Sequence, residues 1–130
     1  MATRPFLDTN ILVYGISGDP KGGRSRELFV SGGVISVQVL NEFVNTSRRK
    51  YALEWDAIEG WLEFFRASLE VEAITAETQA RAVAIARRQQ VHIYDATIIA
   101  AAEQAGCDVL YSEDMQDGAT IAGVEIRNPY

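Results

Sequence analysis

Two rhythms of hydrophobic positions alternate along the chain. Short apolar runs of strand length, "RPFLD", "VIS", "LEVEAI", "DVLYS" and "VEIRN", are separated by longer stretches in which apolar residues recur at helical spacing. That alternation predicts an α/β fold, with a mostly parallel sheet of five strands covered by helices. After the first strand "TNILVYG" starts a helix, which the glycines and Pro20 of residues 15–23 interrupt. A short helix over residues 24–30 ends at Gly32 and Gly33, and Ser36 stands where it caps a helix reaching about residue 49. Between residues 54 and 69, Trp55, Ile58, Trp61, Leu62, Phe65 and Leu69 repeat at helical spacing, which predicts an amphipathic helix. By that spacing Trp55, Trp61, Phe64 and Phe65 are mainly core, and Phe64 widens the stripe toward a partner surface. Thr75 and Thr78 mark the start of a further helix that extends to about residue 88. The segment 94–105 is apolar nearly all round and is stopped by Gly106, so it is predicted to be a helix buried on several sides.

This pattern fills all 130 residues without a repeat, linker or low-complexity tract, which predicts one domain over 1–130. Such a length buries roughly two thirds of the surface that the unfolded chain exposes, enough for a core without metal or disulfide staples. Hydrophobic residues make up 48% and charged residues 23%, the composition of an ordinary globular protein rather than a disordered or fibrous one. The longest apolar stretches fall far short of the roughly 18–20 residues that span a bilayer. Residues 1–5 lack the apolar run and cleavage site of a secretory leader, which predicts a cytoplasmic location. Cys107 is the only cysteine, so an internal disulfide and a thiolate zinc cage are both excluded; it is expected in the core.

Twelve basic against 18 acidic residues give a net charge of −6, which excludes attraction of nucleic acid by overall charge. A phosphate-binding surface must be local. Most of the basic residues are Arg, whose planar fork suits phosphate.

Four acids stand where such a fold can gather them. In open parallel sheets, ligands bind beyond the carboxyl ends of the strands. Asp8 directly follows one strand, and Asp114 follows another with one residue between. Asp95 lies at the start of the buried helix. Glu42 is one to two turns into the helix after "VIS", on a face with Gln38, Thr46 and Arg49 and opposite Leu40, Phe43 and Val44. Each acid alone has a structural explanation as a first-turn, turn or solvated residue. Together on one rim they would repel and raise one another's pKa unless a cation were bound. The donors are all oxygen, and a lone histidine, His92, cannot make a zinc site of the usual kind, so the ion expected is Mg²⁺ or Mn²⁺. Such an ion on an acidic rim is typically used on phosphates, and hydrolysis of a phosphodiester is the natural chemistry. His92 is expected as a packed or hydrogen-bonded residue at a helix start. Tyr94 could stack on a base or seal the helix.

The series "FLDTNILVY", "ISVQVLNEF", "IYDATIIAAA" and "LYSEDMQDG", in that order and closed by "IRNPY", resembles the PIN-domain family, most closely the VapC-type toxin ribonucleases of toxin–antitoxin pairs. The resemblance spans essentially the whole chain. It implies a three-layer α/β/α sandwich and a metal-dependent endoribonuclease in which Asp8, Glu42, Asp95 and Asp114 hold Mg²⁺ or Mn²⁺. By the same comparison Thr9, Asn10 and Ser112 orient carboxylates or waters. Asp117 falls where some relatives carry an additional acid and others do not. The resemblance also implies an RNA substrate, a homodimer and a separate antitoxin protein as inhibitor.

Two alternatives stand beside this reading. A phosphatase of the haloacid-dehalogenase kind would use Asp8 as nucleophile, but it wants a second acid two residues later, where this chain has Asn10. A non-catalytic PIN-like domain kept for protein contact would be expected to have lost an acid, and this chain has all four.

Overall fold

Phe6–Leu7, the first strand β1, is only two residues long and buried on both faces. Apolar side chains that point alternately up and down a strand are both covered only where helices pack on either side of the sheet. The computed structural model describes residues 4–130; the leader reading of residues 1–5 falls partly on residues 1–3, outside the described residues. Along the chain β1 is followed by α1 (Thr9–Ser17), α2 (Gly22–Ser31), β2 (Val34–Ser36), α3 (Val37–Tyr51) and α4 (Trp55–Ser68). Then come β3 (Glu70–Glu72), α5 (Ala76–Gln89), α6 (Ile93–Gln104), β4 (Val109–Tyr111), β5 (Thr120–Ile121) and β6 (Val124–Arg127).

The strands form one sheet in the order β3-β2-β1-β4-β6-β5. All neighbours are parallel except β5 and β6. Phe6 pairs with Val34 on one side and Leu110 on the other. Helices α1 to α4 pack against one another, whereas α5 packs on α6 and α6 lies on β2, β4 and β6, giving the three layers. Ala96–Ala102 of α6 are buried without interruption, as the nearly uniform apolar pattern requires. Cys107 is buried, and burial pushes its thiol up to about 11, so it packs as a small apolar group.

Local chemistry explains the helix starts. The Ser36 hydroxyl accepts a hydrogen bond from the Val39 amide at 3.3 Å, and Thr75 and Thr78 form a reciprocal capping box. His92 caps α6, its Nδ1 accepting from the Tyr94 amide at 3.1 Å.

The sheet differs from the expected five strands by one. β5 pairs antiparallel with β6 through a two-residue turn, Ala122 and Gly123, both at positive φ (51° and 77°). Tight hairpins favour this mirror-image turn, but its usual signal is Asn or Asp before Gly, and alanine hides it. Gly15 also differs from expectation: it does not break α1 but lies inside it. A Cβ there would meet the Phe29 ring at 2.5 and 2.7 Å, so this glycine sets how closely α1 and α2 approach. The break falls at Gly18, φ 78°, within the expected stretch 15–23, and ends α1. On α4, Phe65 is fully buried between Phe29 and Phe43, but Trp55 is 54% exposed and lies beneath the Arg48 guanidinium rather than in the core. Among the described residues, no helix is long and apolar enough to cross a membrane.

Candidate active site

The chain passes from β1 outward to β2 and β3, then returns to add β4 on the opposite side of β1. At that reversal the loops leaving β1 and β4 diverge and open a crevice at the carboxyl ends of the strands. Asp8 leaves β1 there, and Ser112, Glu113 and Asp114 leave β4. Neighbouring β2 feeds α3, which carries Glu42, and the first turn of α6 supplies Asp95. All four acids line one cleft of about 440 Å³.

Asp8 is 5% exposed and is held on both oxygens. Oδ1 accepts from the Thr9 amide at 2.7 Å, and Oδ2 from the Ser112 hydroxyl at 2.7 Å and the Asn10 amide at 3.3 Å. The same Asn10 Nδ2 donates to Asp114 at 3.1 Å, so one side-chain amide ties two of the acids together. Its carbonyl accepts from the Glu113 amide at 3.2 Å and fixes the loop after β4. Ser112 is fully buried, and its Oγ also accepts from the amides of Asp114 and Met115. Thr9 holds Glu42, its hydroxyl donating to Oε2 at 2.5 Å.

Two sets of contacts at the site were not anticipated from the sequence. Gln38 Nε2 donates to Glu42 at 3.3 Å and to the Tyr94 carbonyl at 2.9 Å, bridging α3 to the start of α6. Its only sequence signal was its place four residues before Glu42. Glu113 is held by the Tyr14 hydroxyl and by Lys21, which keep its carboxyl below the usual range. Nothing in the residue pattern joins these three positions. Asp117 is not brought to the cleft; its Oδ1 accepts from the Asn128 amide at 2.8 Å. Arg49 does not line the cleft either, although Thr46 of the same helix face does. Tyr94 is 62% exposed, so it does not seal α6.

The electrostatics are those of acids gathered without enough positive charge. Burial pushes Asp8 up to about 7, against the pull of its Ser112 and Thr9 hydrogen bonds, and the charges of Glu42 and Asp95 add to the rise. Asp95 is also raised, first by burial, with His92 opposing and Asp114 reinforcing. Among the described residues, Lys50 is the one basic residue lining the cleft. Among the described residues, no three acidic or imidazole side chains are close enough together to hold an ion as they stand. The donor chemistry nevertheless fits a hard cation: the four carboxylates share a cleft with the amide oxygen of Asn45 and the hydroxyls of Thr9 and Thr46. Mg²⁺ and Mn²⁺ commonly keep several waters, so such an ion can be held by one or two carboxylates directly and by others through water.

A family model, the PIN domain, matches residues 6–117. The chain belongs to the PIN-domain family. Its fold is shared with a toxin–antitoxin complex from Klebsiella pneumoniae, with a TM-score of 0.73, 25% identity and coverage of 97% of this chain and 98% of that one. A DNA-bound VapBC from Salmonella typhimurium matches with a TM-score of 0.73, 24% identity and coverage of 98% and 99%. VapC20 from Mycobacterium tuberculosis, a toxin that cleaves the sarcin–ricin loop, matches with a TM-score of 0.69, 24% identity and coverage of 84% and 88%. A comparison with curated proteins finds no significant match. PIN-domain membership and the shared fold agree with the family resemblance carried by the four motifs.

Proposed function

We propose that this PIN domain, a single unit over 1–130, is an endoribonuclease dependent on Mg²⁺ or Mn²⁺ and the toxin of a type II toxin–antitoxin pair. The observation that carries the reading is one cleft lined by Asp8, Glu42, Asp95 and Asp114, with Asp8 buried and its carboxyl raised to about 7. Those four carboxylates would hold the ion. When bound, it would withdraw charge from a phosphodiester and favour attack by water. The remaining side chains keep the carboxylates in place. Ser112 and the Thr9 amide fix the Asp8 oxygens, Asn10 spans Asp8 and Asp114, and Thr9 with Gln38 fixes Glu42. Lys50 adds the positive charge that an incoming phosphate needs in an otherwise acidic cleft.

Family membership and likeness to toxin structures support RNA as substrate. The Klebsiella pneumoniae likeness, a toxin–antitoxin complex, supports a separate antitoxin as partner. A homodimer in the cytoplasm completes the proposal. The phosphatase alternative gains no support, because the Asn10 amide is engaged by two acids and cannot act as a general acid.

Purified protein incubated with total RNA is expected to cut it in Mn²⁺, leaving 5′-phosphate and 3′-hydroxyl ends, and to stop in EDTA. Asp8→Asn and Asp95→Asn, purified in parallel, should each lose at least about 100-fold in rate, beyond the loss typical of the groups that merely orient a ligand. Cleavage that survives EDTA and both substitutions would belong to a contaminant and refute the proposal.

A further inference from the structure

A second cavity of about 330 Å³ shares Asp95 and Asp114 with the acidic cleft but none of its other walls. We propose that this cavity receives a nucleobase of the RNA strand, adjoining the phosphodiester that is cut; the inference rests on the nuclease reading and names where its substrate is read. The volume is at the lower end of the range for small-ligand pockets, about 300–1,000 Å³.

Its chemistry differs from that of the cleft. Among the described residues no Lys or Arg lines it, so a phosphate entering it would meet Asp95 and Asp114 with no cation beside them, whereas on the cleft side Lys50 stands among the acids. A base carries no charge and enters without that penalty. Val91, Ile99, Met115 and Ile126 give the cavity an apolar wall. Gln89 and Gln116, both exposed, line its mouth. Each amide offers both a donor and an acceptor, the combination that reads a base edge. The His92 ring forms part of the wall, with the exposed Tyr94 ring 5.1 Å from it, so an aromatic face stands ready beside the opening.

The test compares wild type with a Gln89→Ala and Gln116→Ala double variant, which removes the amides, and with Thr120→Trp, which fills the cavity from an exposed position. Each is given a randomised RNA pool in Mn²⁺, the cut sites are sequenced, and Mn²⁺ binding is measured by calorimetry. Wild type should prefer one base beside the cut. The double variant should lose roughly tenfold of that preference, the worth of one or two hydrogen bonds, and Thr120→Trp should raise KM by a similar factor. Mn²⁺ affinity should be unchanged in both, which also reports an intact fold. Identical cut sites and kcat/KM in wild type and the double variant would overturn the inference and leave the nuclease reading standing. Antitoxin affinity that falls while base preference holds would also overturn it. A wild type that cuts no RNA in Mn²⁺ removes both.

Discussion

Asp8 ties the fold to the chemistry through a single proton. Its carboxyl titrates near 7 in the folded chain, against 3.8 when unperturbed, because it is buried before any cation arrives. Between those two values the folded protein holds a proton that the unfolded chain has released, so stability falls as pH rises through that window. The full cost, on the order of a few kcal/mol, is present above pH 7 and absent below about pH 4. In metal-free buffer, the Tm of Asp8→Asn should therefore exceed that of wild type at pH 8, with the difference shrinking toward pH 4. Millimolar Mg²⁺ should raise the wild-type Tm at pH 8 and leave the variant's nearly unchanged. A variant less stable than wild type at pH 8 without metal would mean that Asp8 is ionised at no cost. At this scale the sequence was informative for a physical reason: Asp8 and Asp114 had to lie at strand ends and Asp95 at a helix start, whichever register the sheet adopted. Gln38, Tyr14 and Lys21 act through partners distant in the chain, and only packing reveals those pairings.

Among the elements, close approach of α1 and α2 brings the first strand's helix under the rim of the cleft, and Gly15 permits it. Gly15→Ala adds one methyl group where the buried Phe29 ring already stands. The helix itself would welcome alanine, so any loss must come from packing. Overpacking of this kind costs about 1–3 kcal/mol, and urea unfolding should show a lower midpoint with an unchanged slope. An unchanged midpoint would mean that Phe29 moves freely. Helix starts were legible because Ser36, Thr75 and Thr78 satisfy amides within their own turns. The β5–β6 hairpin was not, since Ala122 adopts a positive φ that the neighbouring pairing imposes and alanine does not advertise. Helical spacing likewise set Trp55 in the stripe of α4, but at the first turn of the helix the core no longer reaches it, and Arg48 covers it instead.

Over the whole molecule, a net charge of −6 with an acidic cleft means that neither RNA nor a partner is gathered by bulk attraction. Contact must be made by local surfaces. An apolar groove of about 540 Å³ lies between α2 and α4, where Val30 is 86% exposed and Trp61 and Phe64 form the wall. If the proposed antitoxin docks there, Val30→Asp should weaken its binding by at least about tenfold, by burying an unpaired charge, while cleavage in its absence is unaltered. Equal affinity would exclude the groove as the contact. The acidic cleft stands or falls as a site by its shared ion. Crystals soaked in Mn²⁺ and measured at the manganese absorption edge should show an anomalous peak within ligating distance of at least two carboxylates among Asp8, Glu42, Asp95 and Asp114, lost in Asp8→Asn crystals. A soaked wild-type crystal with no peak in the cleft, or with manganese bound only elsewhere on the surface, would contradict it.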